Sequence, residues 1–133
     1  MSLYGETCCL NGDNGQRVWT TLQPTSGGTE LRERWSTLFM VTHGDRVFIW
    51  NDHGDLILAR LTPAGYQEIS RAYILDPDMP SAGSGGRGVV WSHPAFANRC
   101  LYARNNHEIV CVSLAAPSHP LGGEDSRNKE PLP

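Results

Sequence analysis

Residues 37–61 read TLFMVTHGDRVFIWNDHGDLILARL, three apolar runs parted by two short polar turns. The runs are rich in Val, Ile, Phe, Trp and Leu, and the breaks His43-Gly44-Asp45 and Asn51-Asp52-His53-Gly54-Asp55 carry the residues that tight turns need. This stretch is a three-stranded β-meander. Thr62-Pro63-Ala64-Gly65 makes the next turn, and YQEISRAYIL, residues 66–75, alternates as a fourth, outer strand on which Glu68 and Arg71 meet solvent. Four antiparallel strands in about 40 residues match one blade of a β-propeller.

Outward from this unit the same texture continues. The stretch DPDMPSAGSGGRG, residues 76–88, is too rich in Gly, Pro and Ser for a strand or helix and reads as a connection. A second set of strands follows at 89–96, 100–104 and 108–114, with Asn105-Asn106-His107 as a turn. On the N-terminal side, 4–21 holds the last strands of an earlier unit. Fourteen glycines and nine prolines interrupt any helical periodicity. The fold class is therefore all-β, antiparallel meanders of an incomplete propeller of about two to two and a half blades: 4–21, 35–75 and 87–116. From Pro117 to Pro133 there is no apolar periodicity, and the segment reads as a tail.

A repeat supports this division. Cys9, Ala59 and Cys111 each close a short apolar run ahead of a turn, at intervals of 50 and 52 residues, within the range of propeller blades. Propellers close with about four to eight blades. A motif that ends a blade a few residues from the start implies that the blade begins upstream, and open blade faces imply a protein partner or self-association.

Composition narrows the function. A net charge of -3 and a pI near 5.9 give no basic footprint for nucleic acid. No run approaches the roughly 18 apolar residues of a membrane-spanning helix, and no basic segment with an apolar core opens the chain. Cys8, Cys9, Cys100 and Cys111 lack metal-ligand spacing.

The segment from Leu10 to Trp19, LNGDNGQRVW, resembles the quinoprotein-type repeat, in which a turn ends in Gly and a Trp follows four residues later; Gly15 and Trp19 keep that spacing. The stretch 87–115, RGVVWSHPAFANRCLYARNNHEIVCVSLA, is similar to the closing repeat of pyrroloquinoline-quinone-like propellers, a group akin to the outer-membrane-protein assembly factor BamB. The physical sense of the motif is that Gly adopts a positive φ in the turn, while Trp packs between blades and its indole N–H bonds a neighbouring backbone. The middle unit departs from it, with Ile69 at the fourth place after Gly65. The resemblance implies a propeller and an extracytoplasmic, periplasmic setting. It leaves two functions, a non-catalytic scaffold or protein-interaction module and a piece of a quinone-dependent oxidoreductase, because the repeat alone carries no chemistry.

Adjacent Cys8 and Cys9 in a strand point to opposite faces, so they read as small apolar fillers in place of a quinone-contacting ring, and no calcium-ligand and catalytic-Asp set accompanies them. Cys100 and Cys111 fall nearly opposite one another across a hairpin and read as two free, buried thiols, with a strained cross-strand bridge as the other option. Ser92 and His93 cannot share a pocket as strand neighbours. His93, on the innermost strand of its unit, and Arg104, on the next, are the candidates for binding at a central channel. The turn Asn51–Asp55 has oxygen ligands but lacks the calcium-loop length, and 83–88, GSGGRG, lacks the Lys and helix of a phosphate loop. The expectation is no catalytic set, no metal site and no cofactor.

Overall fold

A computed structural model describes residues 4–27, 29, 31–34, 36–80 and 86–116. The tail 117–133 and residues 81–85 of the connection lie outside the described residues. Among the described residues, apart from the four-residue helix α1 (Gln23–Ser26), every regular element is a strand, and every pairing is antiparallel. The chain is all-β.

β1 (Thr7–Leu10) and β2 (Arg17–Thr21) form a hairpin. The central sheet runs β3 (Leu38–His43), β4 (Arg46–Asn51), β5 (Asp55–Thr62), β6 (Gly65–Tyr73) in sequence order, as an unbroken meander. Short β7 (Met79–Pro80) pairs with β8 (Gly88–Val89), and β9 (Ala95–Ala97), β10 (Cys100–Arg104) and β11 (Ile109–Ser113) form the last sheet. Two expectations are corrected here. The connection 76–88 is not strand-free, since its two ends pair with each other as β7 and β8. The strand expected over 89–96 is broken, because Pro94 lacks an N–H for a ladder and only Ala95–Ala97 pairs with β10.

Alternation along β4 and β5 gives the central sheet two apolar faces. Val47, Ile49, Ile57 and Ala59 are buried on one, with Leu38, Leu61 and Tyr66 packed around them. Trp50 and Leu56 are buried on the other, in a cluster with Leu75, Val90, Leu101 and Ala103 that also takes in Phe39, Phe48, Phe96, Val110 and Val112. The central sheet is thus stacked face to face on the last sheet, with the Phe48 and Phe96 rings at 5.3 Å. On the opposite side the β1–β2 hairpin approaches: Cys9 and Trp19 are register partners, and the Trp19 indole N–H donates to the Thr62 carbonyl at 2.8 Å. Gly15, with φ +69°, ends the β1–β2 turn.

Register relates the central and last sheets position by position. Val47 pairs with Ala59 as Leu101 pairs with Val112, and Ile49 pairs with Ile57 as Ala103 pairs with Val110. Both sets face backwards, towards the preceding sheet. The counterpart of Ala59 is therefore Val112, and the spacing that puts Cys111 there is corrected by one residue, because the β10–β11 turn is shorter by one than the β4–β5 turn.

Candidate functional site

The polar side chains of the core concentrate at one place, the turn between β4 and β5. Asn51 and Asp52 are completely buried, which a solvent-exposed hairpin turn does not require. Burying such groups is costly unless their hydrogen bonds are met. Asn51 Oδ1 accepts from the backbone N–H of His53 at 3.1 Å and of Asp55 at 2.9 Å, closing the turn on itself. Its Nδ2 then donates outward, to the Pro24 carbonyl at 3.0 Å and to Asp55 Oδ2 at 2.9 Å. One side chain shapes the turn and holds the preceding connector, including α1, against it.

The backbone of the same turn holds the following connector. The Asp52 carbonyl accepts from Val90 N–H at 2.9 Å, and the Gly54 carbonyl from Ile74 N–H at 2.9 Å and Leu75 N–H at 3.3 Å. Gly54 has φ +84°, and any Cβ there would collide with the Leu75 carbonyl oxygen. Glycine is required at this point for both reasons.

Charges surround the turn in pairs. Asp52 receives Arg87 Nη2 at 2.7 Å, and the Ser36 hydroxyl donates to it at 3.4 Å. Glu33 lies 3.4 Å from Arg87 Nε and 2.6 Å from His53 Nε2. Arg71 reaches back from β6 to Asp55 at 2.7 Å, to Glu68 at 2.9 Å and to the Gln23 carbonyl at 2.9 Å. The expected solvated Arg71 is corrected accordingly: burial works against its charge, but Glu68 and Asp55 outweigh burial and raise its pKa. The Arg71 hydrogen bond holds Glu68 below the usual carboxylate range. Burial, then Glu68, push Tyr66 upward. Tyr73, bonded to Asp76, is pushed up to about 12.

The arrangement recurs 54 residues on. Asn105 Oδ1 accepts from His107 and Glu108 N–H, both at 2.9 Å, and its Nδ2 donates to the Asp76 carbonyl at 3.1 Å. His107 Nε2 lies 3.4 Å from Asp78, as His53 lies against Glu33. An Asn-x-His turn that grips the connector behind it is thus shared by the central and the last sheet. Sequence reading found both turns but missed the latch, since only the local half of an Asx turn is encoded nearby; the shared Asn-x-His spelling was the available signal.

The chemistry of the hub is that of a fastening. Ser36 faces Asp52 and Arg87, while His53 faces Glu33, so the hydroxyl and the imidazole are engaged by different partners and do not form a nucleophile–base pair. A 300 Å³ hollow beside it is lined by Thr25, Ser26, His53, Asp55, Tyr73 and Pro77. Among the described residues no group of three His, Cys, Asp or Glu side chains is placed to hold a metal ion.

The other candidates lie apart from the hub. His93 precedes β9 and is not part of it, a correction to its placement on a strand; its ring lies tilted by 47° against Phe39, centroids 3.8 Å apart. Arg104 ends β10, exposed, and the β9–β10 ladder stops at Ala95 and Tyr102, two residues short of both. Cys8 and Cys9 are half-buried and free, with register partners Thr20 and Trp19. Cys100 and Cys111 are not opposite: Cys100 faces Ser113 and Cys111 faces Tyr102. Nor are they both buried, since they sit on the outward face of the last sheet with Cys111 exposed. Burial, with a hydrogen bond to Cys111, raises the Cys100 thiol. Of the run 83–88, Gly86, Arg87 and Gly88 are described, and Arg87 serves Asp52.

No protein-family model, curated protein or solved structure matches this chain. Among the described residues no helix is long and apolar enough to cross a membrane.

Proposed function

We propose that the chain is a non-catalytic, propeller-type scaffold whose work is to present surfaces to another protein. One observation carries this reading: the side chains at the hub that could do chemistry (Asp52, His53, Glu33, Arg87, Asp55 and Arg71) are each turned onto a connector or onto one another. Catalytic groups need a free face towards a substrate, and these groups spend theirs on assembly. Support for the blade reading comes from the sequential sheets stacked face to face and from the latch repeated at Asn51 and Asn105. The test is titration with pyrroloquinoline quinone, with and without calcium, followed by a dye-linked assay with primary alcohols. The scaffold gives neither saturable binding nor turnover; saturable quinone binding with dye reduction overturns it.

A further inference from the structure

In the central sheet the β4–β5 pair is followed by a fourth strand, β6, paired along the length of β5. Its counterpart in the last sheet is the β10–β11 pair, and among the described residues nothing pairs with the outer side of β11. The hydrogen-bonding state of that edge follows from two bonds. Leu114 N–H donates to the Arg99 carbonyl at 2.8 Å and Asn105 N–H to the Glu108 carbonyl at 3.1 Å, each between residues directly opposite in the register. Antiparallel ladders alternate, so Val110 and Val112 also bond towards β10. Ile109, Cys111 and Ser113 therefore turn their N–H and C=O groups outward.

Natural edges are blunted by charge or proline. β6 carries Glu68 and Arg71, and it bulges at Ile69, which has no partner where Leu58 pairs with Ser70 and Ala59 with Glu68. β11, Ile-Val-Cys-Val-Ser, carries no such device. Beside it, under β4, β5 and β6, lies an open hollow of 300 Å³ lined by Phe48, Leu56, Leu58, Ser70, Ala72 and Leu114. This is the space a strand added to β11 would fill.

The chain's own continuation is a poor occupant by sequence. The stretch that the repeat spacing would bring there, residues 118–126, reads SHPLGGEDS, with a proline, two glycines and one large apolar residue. A second copy pairing β11 to β11 would drive its own β5–β6 hairpin into this one, because in both copies β6 overhangs the vacant strand position. A separate extended segment meets neither obstacle. Charge sets its direction: His43 and Arg46 line the hollow at its Leu114 end, and Arg99 stands by the same leucine, whereas the acid there, Asp45, bonds Arg60 at 2.9 Å and lies farther, at 3.9 Å, from Arg46, which leaves three cations to one acid. A strand antiparallel to β11 begins at that end.

We propose that β11 is a docking edge for an extended segment of a partner protein, apolar at alternate residues and acidic at its N-terminal end, which adds as the fourth strand of the last sheet. The inference rests on the reading of the chain as an interaction module. The probe is a fluorescein-labelled, acetylated peptide of sequence DETVTVTVS, added to the full-length protein, with a control in which prolines replace alternate residues. Anisotropy should saturate for the first peptide only, and hydrogen exchange at the Ile109, Cys111 and Ser113 amides should slow at least tenfold on binding. Ala72→Arg, on an exposed residue, should block binding, and Arg46→Glu should weaken it about tenfold and flatten its salt dependence; unchanged melting temperatures show that both variants fold. Absence of saturation at millimolar peptide overturns the proposal. So does protection of the three amides without peptide: concentration-independent protection assigns the edge to the chain's own tail, and concentration-dependent protection to a second copy. Quinone turnover would sink the scaffold reading while leaving these amide measurements unaffected.

Discussion

Trp50 and Arg104 hold the same register position in successive sheets and live in opposite surroundings. Trp50 pairs with Leu56 and is completely buried beneath the last sheet; Arg104 pairs with Ile109, which is 76% exposed. The same contrast runs along the whole face, Phe48 and Leu58 in the central sheet answering to Tyr102 and Cys111 in the last. The backward faces do not differ in this way, since Val47, Ile49, Ile57 and Ala59 answer to Leu101, Ala103, Val110 and Val112, all apolar. Each sheet therefore needs an apolar back to lie on its predecessor. Among the described residues, the sheet with a described successor is the one that shows a large apolar front.

The largest way to break the comparison is to truncate both members of the pair. Trp50→Ala should cost about 4 kcal/mol in urea unfolding, the range for a buried aromatic, whereas Arg104→Ala should stay within about 0.5 kcal/mol. Equal losses would mean that the two fronts are equally covered. Trp50→Phe sharpens it further: the buried indole N–H of Trp50 has no acceptor among the described residues, so the smaller ring removes an unmet donor along with its volume and should cost less than half of the alanine change.

Next come the latches. Asn51→Ala leaves the buried Pro24 carbonyl and two part-buried turn N–H groups without their partner, and should cost about 3 kcal/mol. Asn105 is almost as buried but its turn is open to solvent on the far side, where His107 and Glu108 are exposed; Asn105→Ala should cost about 1 to 2 kcal/mol. Gly54→Ala combines a positive φ with the Leu75 carbonyl and should cost about 2 kcal/mol by calorimetry, while a change at Glu108, the nearest counterpart in the second turn, should be close to neutral.

The smallest expected effect concerns pH. Glu68 titrates below its ordinary 4.5 because Arg71 bonds the carboxylate. A depressed folded pKa means that this contribution is complete above the ordinary value and is lost as pH falls through the folded one. Glu68 is about a third exposed, so the effect is a few tenths of a kcal/mol. Glu68→Gln should flatten the acid limb of the melting-temperature profile by that amount, and no change in slope would mean that the Arg71–Asp55 pair suffices.

The central meander was legible because its periodicity and turn chemistry are local: the turns at His43–Asp45 and Asn51–Asp55 and the strands around them stand where alternation and Gly/Asn/Asp clusters place them. The outer parts were less so. β7 and β8 are two residues each and lie in a stretch whose composition argues against strands, so their pairing depends on the sheets they bridge. His93 beside Pro94 has no periodicity to anchor it. The offset of Cys100 and Cys111 turned on a one-residue difference in turn length, which apolar pattern alone does not register. The hub was invisible for another reason: a turn Asn announces its bonds to the next two or four residues, while its bond to a carbonyl far upstream is written by tertiary packing.

Those upstream bonds also bear on how the chain folds. Asn51 closes on Pro24 across 27 residues, and Asn105 on Asp76 across 29. Each closure joins a hairpin only to the connector just before it, and among the described residues all sheet ladders pair strands adjacent in sequence. Such loops are short enough to close cheaply, and low contact order favours speed. A chain emerging from its N-terminus can then fasten one connector each time a new Asn-x-His turn forms, so that folding advances sheet by sheet without waiting for the C-terminus.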